Sequence, residues 1–307
     1  MKTFLILTKR NIKLFFKDKG LFFSSLITPI ILLVLYVTFL ADIYRDGLLS
    51  PIPQSMQTTS TLKLIDGAVG GEIVSSFLAV CCVTIAFSSN FIMVNDKVTG
   101  AIKDIMVSPI KKSIVSLSYY FGSLFSTLIV GFLATAIGFI YIACVGWYLS
   151  FVDVLLILFD VILLSMFGTA LSSIINVFLT TQGQLSAVGT IVSAGYGFVC
   201  GAYMPINTFS DGLQNVFAFL PGTYGTSLVR NHCLQGCFKA MNEEEFPEQI
   251  IEGYKKSMDC TITFFGKTIN QIEMYSILIC SIVILVGIYV VIRYFELIQN
   301  KKKRVEN

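Results

Sequence analysis

The chain has 307 residues, of which 55% are hydrophobic and 13% are charged. Soluble domains carry about 25% charged residues, so a soluble class is excluded and the length divides into spans of about 20 residues, enough to cross roughly 30 Å of hydrocarbon. The formal net charge of +3 does not point to nucleic acid, because the basic residues gather in three segments that read as topology signals.

Residues 1–19 come first. At 100° per residue, Lys2, Lys9, Arg10, Lys13 and Lys17 fall in one arc into which only Ile6 intrudes, while Phe4, Leu5, Leu7, Ile12, Leu14, Phe15 and Phe16 take the rest. That pattern predicts an amphipathic helix lying in the membrane interface, basic face toward the headgroups. No short apolar core with a small-residue cleavage site precedes it, so no secretory signal is expected. Gly20 then turns the chain into a first span near 21–41.

The uncharged windows place the other spans near 73–95, 114–145, 152–179, 185–203 and 274–294, an all-α integral membrane fold with six transmembrane helices. Asp160 and Asp211 bracket 50 uncharged residues. As one helix these would run about 75 Å, so they must fold back at "TTQGQ" (180–184). The polar stretch 42–72, with Pro51 and Pro53, reads as a loop without chemistry. Lys and Arg number six in the first 20 residues, four at 95–112 and five in the tail, out of 22. By the positive-inside rule both termini and the 95–112 loop are cytoplasmic, as in a multi-pass plasma-membrane protein. The tail "NKKKRVEN" is expected to be disordered and to touch anionic lipid.

After the fifth span, "MPINTFSDGLQNVFAFLPGTYGTSLVR" (204–230) is apolar in pieces of about ten residues, broken by Pro205, Asp211-Gly212 and Pro221-Gly222. Pieces of that length do not span a bilayer. They predict a re-entrant pair of short helices near 208–219 and 223–231. Irregular backbone at that depth survives where protein or a wet cavity covers it, so this pair should line or cap a pathway. Residues 231–273 read as an exposed outer loop, and 204–273 together as the outer part of a single domain covering 1–307.

Little catalytic material is present. The one histidine, His232, excludes a paired-histidine metal site, and no metal site is expected. Three cysteines, Cys233, Cys237 and Cys260, fall in the outer part, where disulfides persist. Three allow one internal bridge, and Cys237–Cys260 is the expected pairing, with one thiol left over. "GKT" at 266–268 is not a phosphate loop, because Thr261 stands where that motif needs glycine. Asp160, about two turns inside the fourth span, is the one ionisable group expected at membrane depth. It either faces protein or acts in transport.

The stretch "NDKVTGAIKDIMVSPIKK" (95–112) separates the second and third spans. Ile102, Ile105 and Met106 share one side of a helical turn, Lys103 and Asp104 another, and Pro109 ends it. A short rigid helix over 96–110 suits seating in a partner's groove.

The order of these parts resembles the permease subunit of type-2 ABC exporters. Lys17-Asp18 before the first span and Pro29 inside it match that family's elbow. Asp96, Lys97, Gly100, Ser108 and Pro109 match its coupling loop, although Val98 stands where the family often has glutamate. Pro205, Leu213, Gln214, Leu220, Pro221, Tyr224 and Arg230 match its outer signature. The outer loop at 231–273 is longer than is usual in the family.

The resemblance implies a chain that pairs with a second permease copy, identical or related, and with an ABC ATPase subunit. ATP and Mg would be bound by that partner, with no cofactor on this chain. Asp96, Lys97, Gly100, Lys103, Asp104, Ser108 and Pro109 would couple to the ATPase. Pro205, Phe217, Phe219, Pro221 and Tyr224 would form the translocation path and outer gate. The second and fifth spans would line a path for an amphipathic molecule such as a peptide, an antibiotic or other drug, or a lipid-linked molecule. The alternatives are an ion-coupled secondary transporter, which needs more buried ionisable groups than Asp160, and a non-transporting immunity or sensor permease.

Overall fold

A computed structural model describes residues 1–305 other than Pro109, and the side chains of these except Ser55 and residues 296–305. The described residues are helical apart from short connections and one hairpin. Helix α1 (Lys2–Lys17) ends at Asp18, which starts α2 (Lys19–Leu35) by accepting the Leu21 amide on its side chain. Pro29 lies inside α2. A π turn (Tyr36–Leu40) then carries the helix into α3 (Ala41–Leu49).

The first span therefore runs further than 21–41, and the 42–72 loop shrinks to residues 50–58. Charged residues alone do not stop a helix: Arg45 on α3 pairs with Asp66 at 2.7 Å. Pro51 and Pro53 do stop it, since proline removes a backbone donor. Thr58 accepts the Thr61 amide and opens α4 (Thr59–Val98), 40 residues long.

Helix α4 is the centre of the molecule. Its apolar stretch is almost wholly buried, and α2, α6, α7, α8 and α10 pack around it. Short helix α5 (Ala101–Val107) follows it, and then come α6 (Lys112–Val145) and α7 (Phe151–Phe178). A reciprocal Ser150–Asp153 capping box starts α7. The same device, Thr181 with Gln184, starts α8 (Gln182–Val199), so the polar string read as a break supplies a helix cap.

Helix α9 (Asp211–Ala218) and α10 (Pro221–Glu243) follow. Proline in the first turn of α10 costs nothing there, because that amide would be unpaired in any case. Helix α10 continues well past 231 and buries one side against α4, α7 and α12, so much of the expected exposed loop is packed helix. Helix α11 (Glu248–Ser257) returns beside it, with the Tyr254 hydroxyl donating to the Leu48 carbonyl on α3. Strands β1 (Ile262–Phe264) and β2 (Lys267–Ile269) form an antiparallel hairpin pairing Ile262 with Ile269. Its turn is Phe265-Gly266, both at positive φ, so the glycine of "GKT" serves a tight hairpin. The last helix, α12 (Gln271–Val305), extends through most of the tail that was expected to be disordered.

Among the described residues, five segments are long and apolar enough to cross a membrane: Lys19–Leu49, α4, α6, α7 and Gln271–Phe295. Helix α8, with 18 residues and several polar ones, is not among them.

Candidate functional site

Four features concentrate chemistry: the root of α5, a cavity between α2 and α8, and two buried clusters around Arg230 and Asp160.

At the root of α5, consecutive residues of α4 grip different neighbours. Asp96 accepts from Arg10 Nη1 at 2.6 Å and from Nη2 at 3.0 Å, and the Tyr119 hydroxyl donates to the same carboxylate at 2.5 Å. The hydrogen bond to Asp96 raises the Arg10 guanidinium above its ordinary value, so the cation is fixed. Gly122 on α6 admits α1 to this contact, since a Cβ there would stand 2.7 Å from the Asn11 Cβ. Lys97 turns the other way and donates to the carbonyls of Asn176, Val177 and Leu179 at 3.2, 2.7 and 3.2 Å. Those carbonyls close α7, where a cation also complements the helix dipole. Asp96 and Lys97 thus tie α1, α6 and α7 to the foot of α4.

Gly100 makes the corner. Its φ is +82°, it caps α5 at the amino end, and a Cβ there would meet nothing within 4 Å. The residue is needed for its backbone angle and not for space. Beyond it, Lys103, Asp104, Met106, Val107 and Ser108 are exposed, Val107 to 87%. Of the residues expected to meet a partner, the structure divides two groups: Lys103, Asp104 and Ser108 are displayed, while Asp96 and Lys97 hold the display in place. Pro109 lies outside the described residues.

The cavity, of about 1340 Å³, lies between α2 with its π turn and α3 on one side and α8 on the other, with Ser88, Phe91 and Asn95 of α4 behind it. Tyr203, Met204, Pro205 and Thr208 close one end. Pro205 is therefore on the cavity wall. Phe217, Phe219, Pro221 and Tyr224 are not among its lining residues. Phe217 packs edge-on against Phe209, Phe219 is 76% exposed, and Tyr224 is buried with its hydroxyl donating to the Ala218 carbonyl.

The closing segment is held by a buried ion cluster absent from the sequence reading. Arg230 Nε meets Glu72 Oε2 at 2.8 Å and its Nη2 donates to Ser76 Oγ at 3.0 Å and to the Gly201 carbonyl at 2.9 Å. Its Nη1 is 3.6 Å from Asp259, which accepts the backbone amides of Ile206 and Asn207. Burial pushes the Asp259 carboxyl up, and Arg230 opposes that shift. Glu72 and Arg230 are 0% and 1% exposed. The available signal was "GAVGG" before Glu72: a Cβ on Gly71 would stand 2.9 Å from the Cys233 carbonyl, so this glycine admits the α10 backbone that carries Arg230.

Asp160 is buried and fully engaged. His232 Nδ1 lies 2.6 Å from its Oδ2, and the Tyr275 hydroxyl donates to its Oδ1 at 2.7 Å, which joins α7, α10 and α12. His232, expected in an exposed loop, is therefore inside the helical body. Asp160 is accordingly not the one buried ionisable group. Cys237 and Cys260 stand as free buried thiols. No group of potential metal ligands occurs among the described residues.

A family model described as ABC-2 type transporter matches residues 2–233, from the start of α1 into α10. The search of curated proteins gives no match.

Proposed function

The chain belongs to the ABC-2 type transporter family, and from that premise we propose that it is the permease half of an ATP-driven exporter in the plasma membrane. Members are membrane components of transporters, so hydrolysis of Mg-bound ATP falls to a separate ABC ATPase. On this reading α8 counts as a sixth span, both termini are cytoplasmic, and α9 with the start of α10 forms a re-entrant pair facing outward. Two permease copies, identical or related, pair to complete the path for an amphipathic peptide, drug or lipid-linked molecule.

The observation that carries the reading is the rooting of α5. A seven-residue helix set off by a left-handed glycine exposes Lys103, Asp104, Met106 and Val107 to a partner. Its foot is bonded to α1, α6 and α7, so a push on α5 displaces several helices together. Closure of the ATPase dimer would drive that push, and the helices would rock between two packings. The test is co-purification of this chain with an ABC ATPase, followed by cysteine cross-linking from Asp104→Cys or Met106→Cys. Cross-links to the ATPase from these positions, together with ATP-dependent export into sealed vesicles, support the reading; absence of both overturns it.

The buried clusters give an ion-coupled carrier more material than Asp160 alone. Yet both oxygens of Asp160 have partners, Glu72 faces a fixed guanidinium, and none of these groups lines the cavity. They favour fixed helix contacts over cargo coupling. Export that runs on an ion gradient without ATP would reverse that preference.

A further inference from the structure

Helix α7 gives a depth scale for the outer part of the molecule. Its exposed side is apolar from the first residue, through Phe151, Val152, Leu155 and Phe159. Helix α10 runs beside it in the opposite sense. A Cβ on Gly222 would stand 3.3 Å from the Phe167 ring, His232 bonds Asp160, and Gly236 meets the Tyr148 carbonyl. About 24 Å of helix separates Phe167 from Phe151, so α10 begins far below the outer end of α7. Phe219 closely precedes α10, and Asn215 is one turn earlier on α9. Asn215 therefore stays roughly 10 Å or more below Phe151.

The β1–β2 hairpin is tied to that level. The Phe265 amide donates to Asn215 Oδ1 at 2.8 Å, and β1 packs against α9. The other end of the hairpin leads into α12, where the Tyr275 ring centroid lies 5.9 Å from that of Phe159. Ile272 is thereby about 7 Å below Phe151, so the hairpin points its turn inward. Backbone at such a depth needs protein partners for its amides, and the Asn215 side chain supplies one. The one charged residue of the hairpin, Lys267, is paired with Glu273 at 2.6 Å. Phe265 sits at φ +45°, an angle that is rare for a bulky residue. Glycine or asparagine would take it more easily, so the ring, and not the turn, accounts for phenylalanine there.

Phe265 and Ile272 are both 78% exposed, and neither lines the cavity between α2 and α8. Ile272 begins a face of α12 that continues through Ile279, Val283 and Val290, within about 40° at 100° per residue. All four are exposed. Such a stripe along a helix long enough to span is a lipid face, and the Lys267–Glu273 pair fastens the hairpin to its outer end.

We propose that the β1–β2 turn dips into the outer leaflet and seats the Phe265 ring among lipid acyl chains, in the same apolar layer as Phe219. The occupant of this surface is lipid, and the turn anchors the outer segment to the membrane. The exporter reading enters only in naming the leaflet the outer one.

The chain has one tryptophan, Trp147, which makes fluorescence a direct test. In a Trp147→Phe background the full chain carries Phe265→Trp, Phe219→Trp or, as a control on the exposed side of α11, Glu252→Trp. Each protein is reconstituted in phosphatidylcholine vesicles with or without bromine on one acyl chain, and acrylamide serves as the aqueous quencher. Brominated lipid should lower the emission of Phe265→Trp and Phe219→Trp about twofold while acrylamide barely acts, and Glu252→Trp should show the reverse. Quenching of Phe265→Trp by acrylamide alone places the turn in water. Quenching by neither agent places it against protein, a second copy included. Either result overturns the inference. No ATPase or cargo enters the measurement, so a failed exporter test leaves a lipid-seated turn standing, and a water-exposed turn leaves the exporter reading standing.

Discussion

Arg10 holds both oxygens of Asp96 across 86 residues of chain, and so joins the first helix to the foot of the buried one. The pair is only partly covered, with the Arg10 side chain 32% exposed, so its Coulomb attraction is screened. The hydrogen bonds count for more, because bonds to charged groups contribute about 1.5–3 kcal/mol.

Asp96→Ala is therefore expected to destabilise the protein by about 2 kcal/mol, and Arg10→Ala by less, since its guanidinium can reach water. The double variant should be no worse than Asp96→Ala by more than a few tenths of a kcal/mol, because both single changes remove the same contact. Thermal unfolding of all four proteins in detergent checks this. Strict additivity would mean that the two residues do not act as a unit.

Gly100 gives a graded prediction. A side chain at φ +82° costs about 1–2 kcal/mol for most residues and less for asparagine, and the space around it is open. Gly100→Asn should transport nearly as the parent does, Gly100→Ala less well, and Gly100→Pro not at all, since proline cannot adopt positive φ. All three should reach the membrane in normal amount, because the corner lies at an exposed turn. The readout is cargo moved per ATP hydrolysed. An unchanged ratio in the proline variant would remove α5 from the coupling path.

Glu72 and Arg230 are both buried, and Arg230 also has Asp259, Ser76 and the Gly201 carbonyl, so the loss of Arg230 is the change that leaves a carboxylate, Glu72, without its cation. Arg230→Met is expected to cost about 3–5 kcal/mol, whereas adding Glu72→Met, which removes the carboxylate left without its cation, should recover most of that. Folded yield and melting temperature from size-exclusion samples provide the comparison. Recovery depends on Asp259, which keeps its bonds to Ile206 and Asn207 in the double variant. A double variant as unstable as the single would show that Arg230 has a further essential partner.

What was legible in the sequence was local. The basic arc of α1, the glycine before α5 and the starts of α2, α6, α7, α8 and α12 follow from periodicity and from residues that cap or break helices, whereas α4 begins at Thr59, well before the expected start near 73. Thr180 to Gln184 was seen as polar, and its capping role is the same fact in three dimensions. What could not be read was long-range: Arg230 reaches Ser76 across 154 residues and His232 reaches Asp160 across 72. Neither pairing leaves a local pattern. The length of α10 was missed for the same reason. Its sequence from Asn231 to Glu243 is polar by composition, and only burial against α4 and α7 makes a packed helix of it.

Asp160, His232 and Tyr275 supply the last prediction, which separates holding helices from moving protons. Asp160→Asn keeps one carbonyl oxygen for one of the two donors and loses the other acceptor, at a cost of about 1–3 kcal/mol for the stranded polar group. Tyr275→Phe removes a single neutral donor and should cost about 1 kcal/mol. If the cluster is structural, both variants melt earlier yet export the same amount of cargo per ATP, and an imposed proton gradient changes neither. The measurement is ATP-driven uptake into inside-out vesicles with and without a protonophore. The structural role requires identical protonophore sensitivity in parent and variants. Export by the parent that collapses with the protonophore while ATP stays constant, and an Asp160→Asn variant indifferent to it, would give this carboxylate a part in coupling.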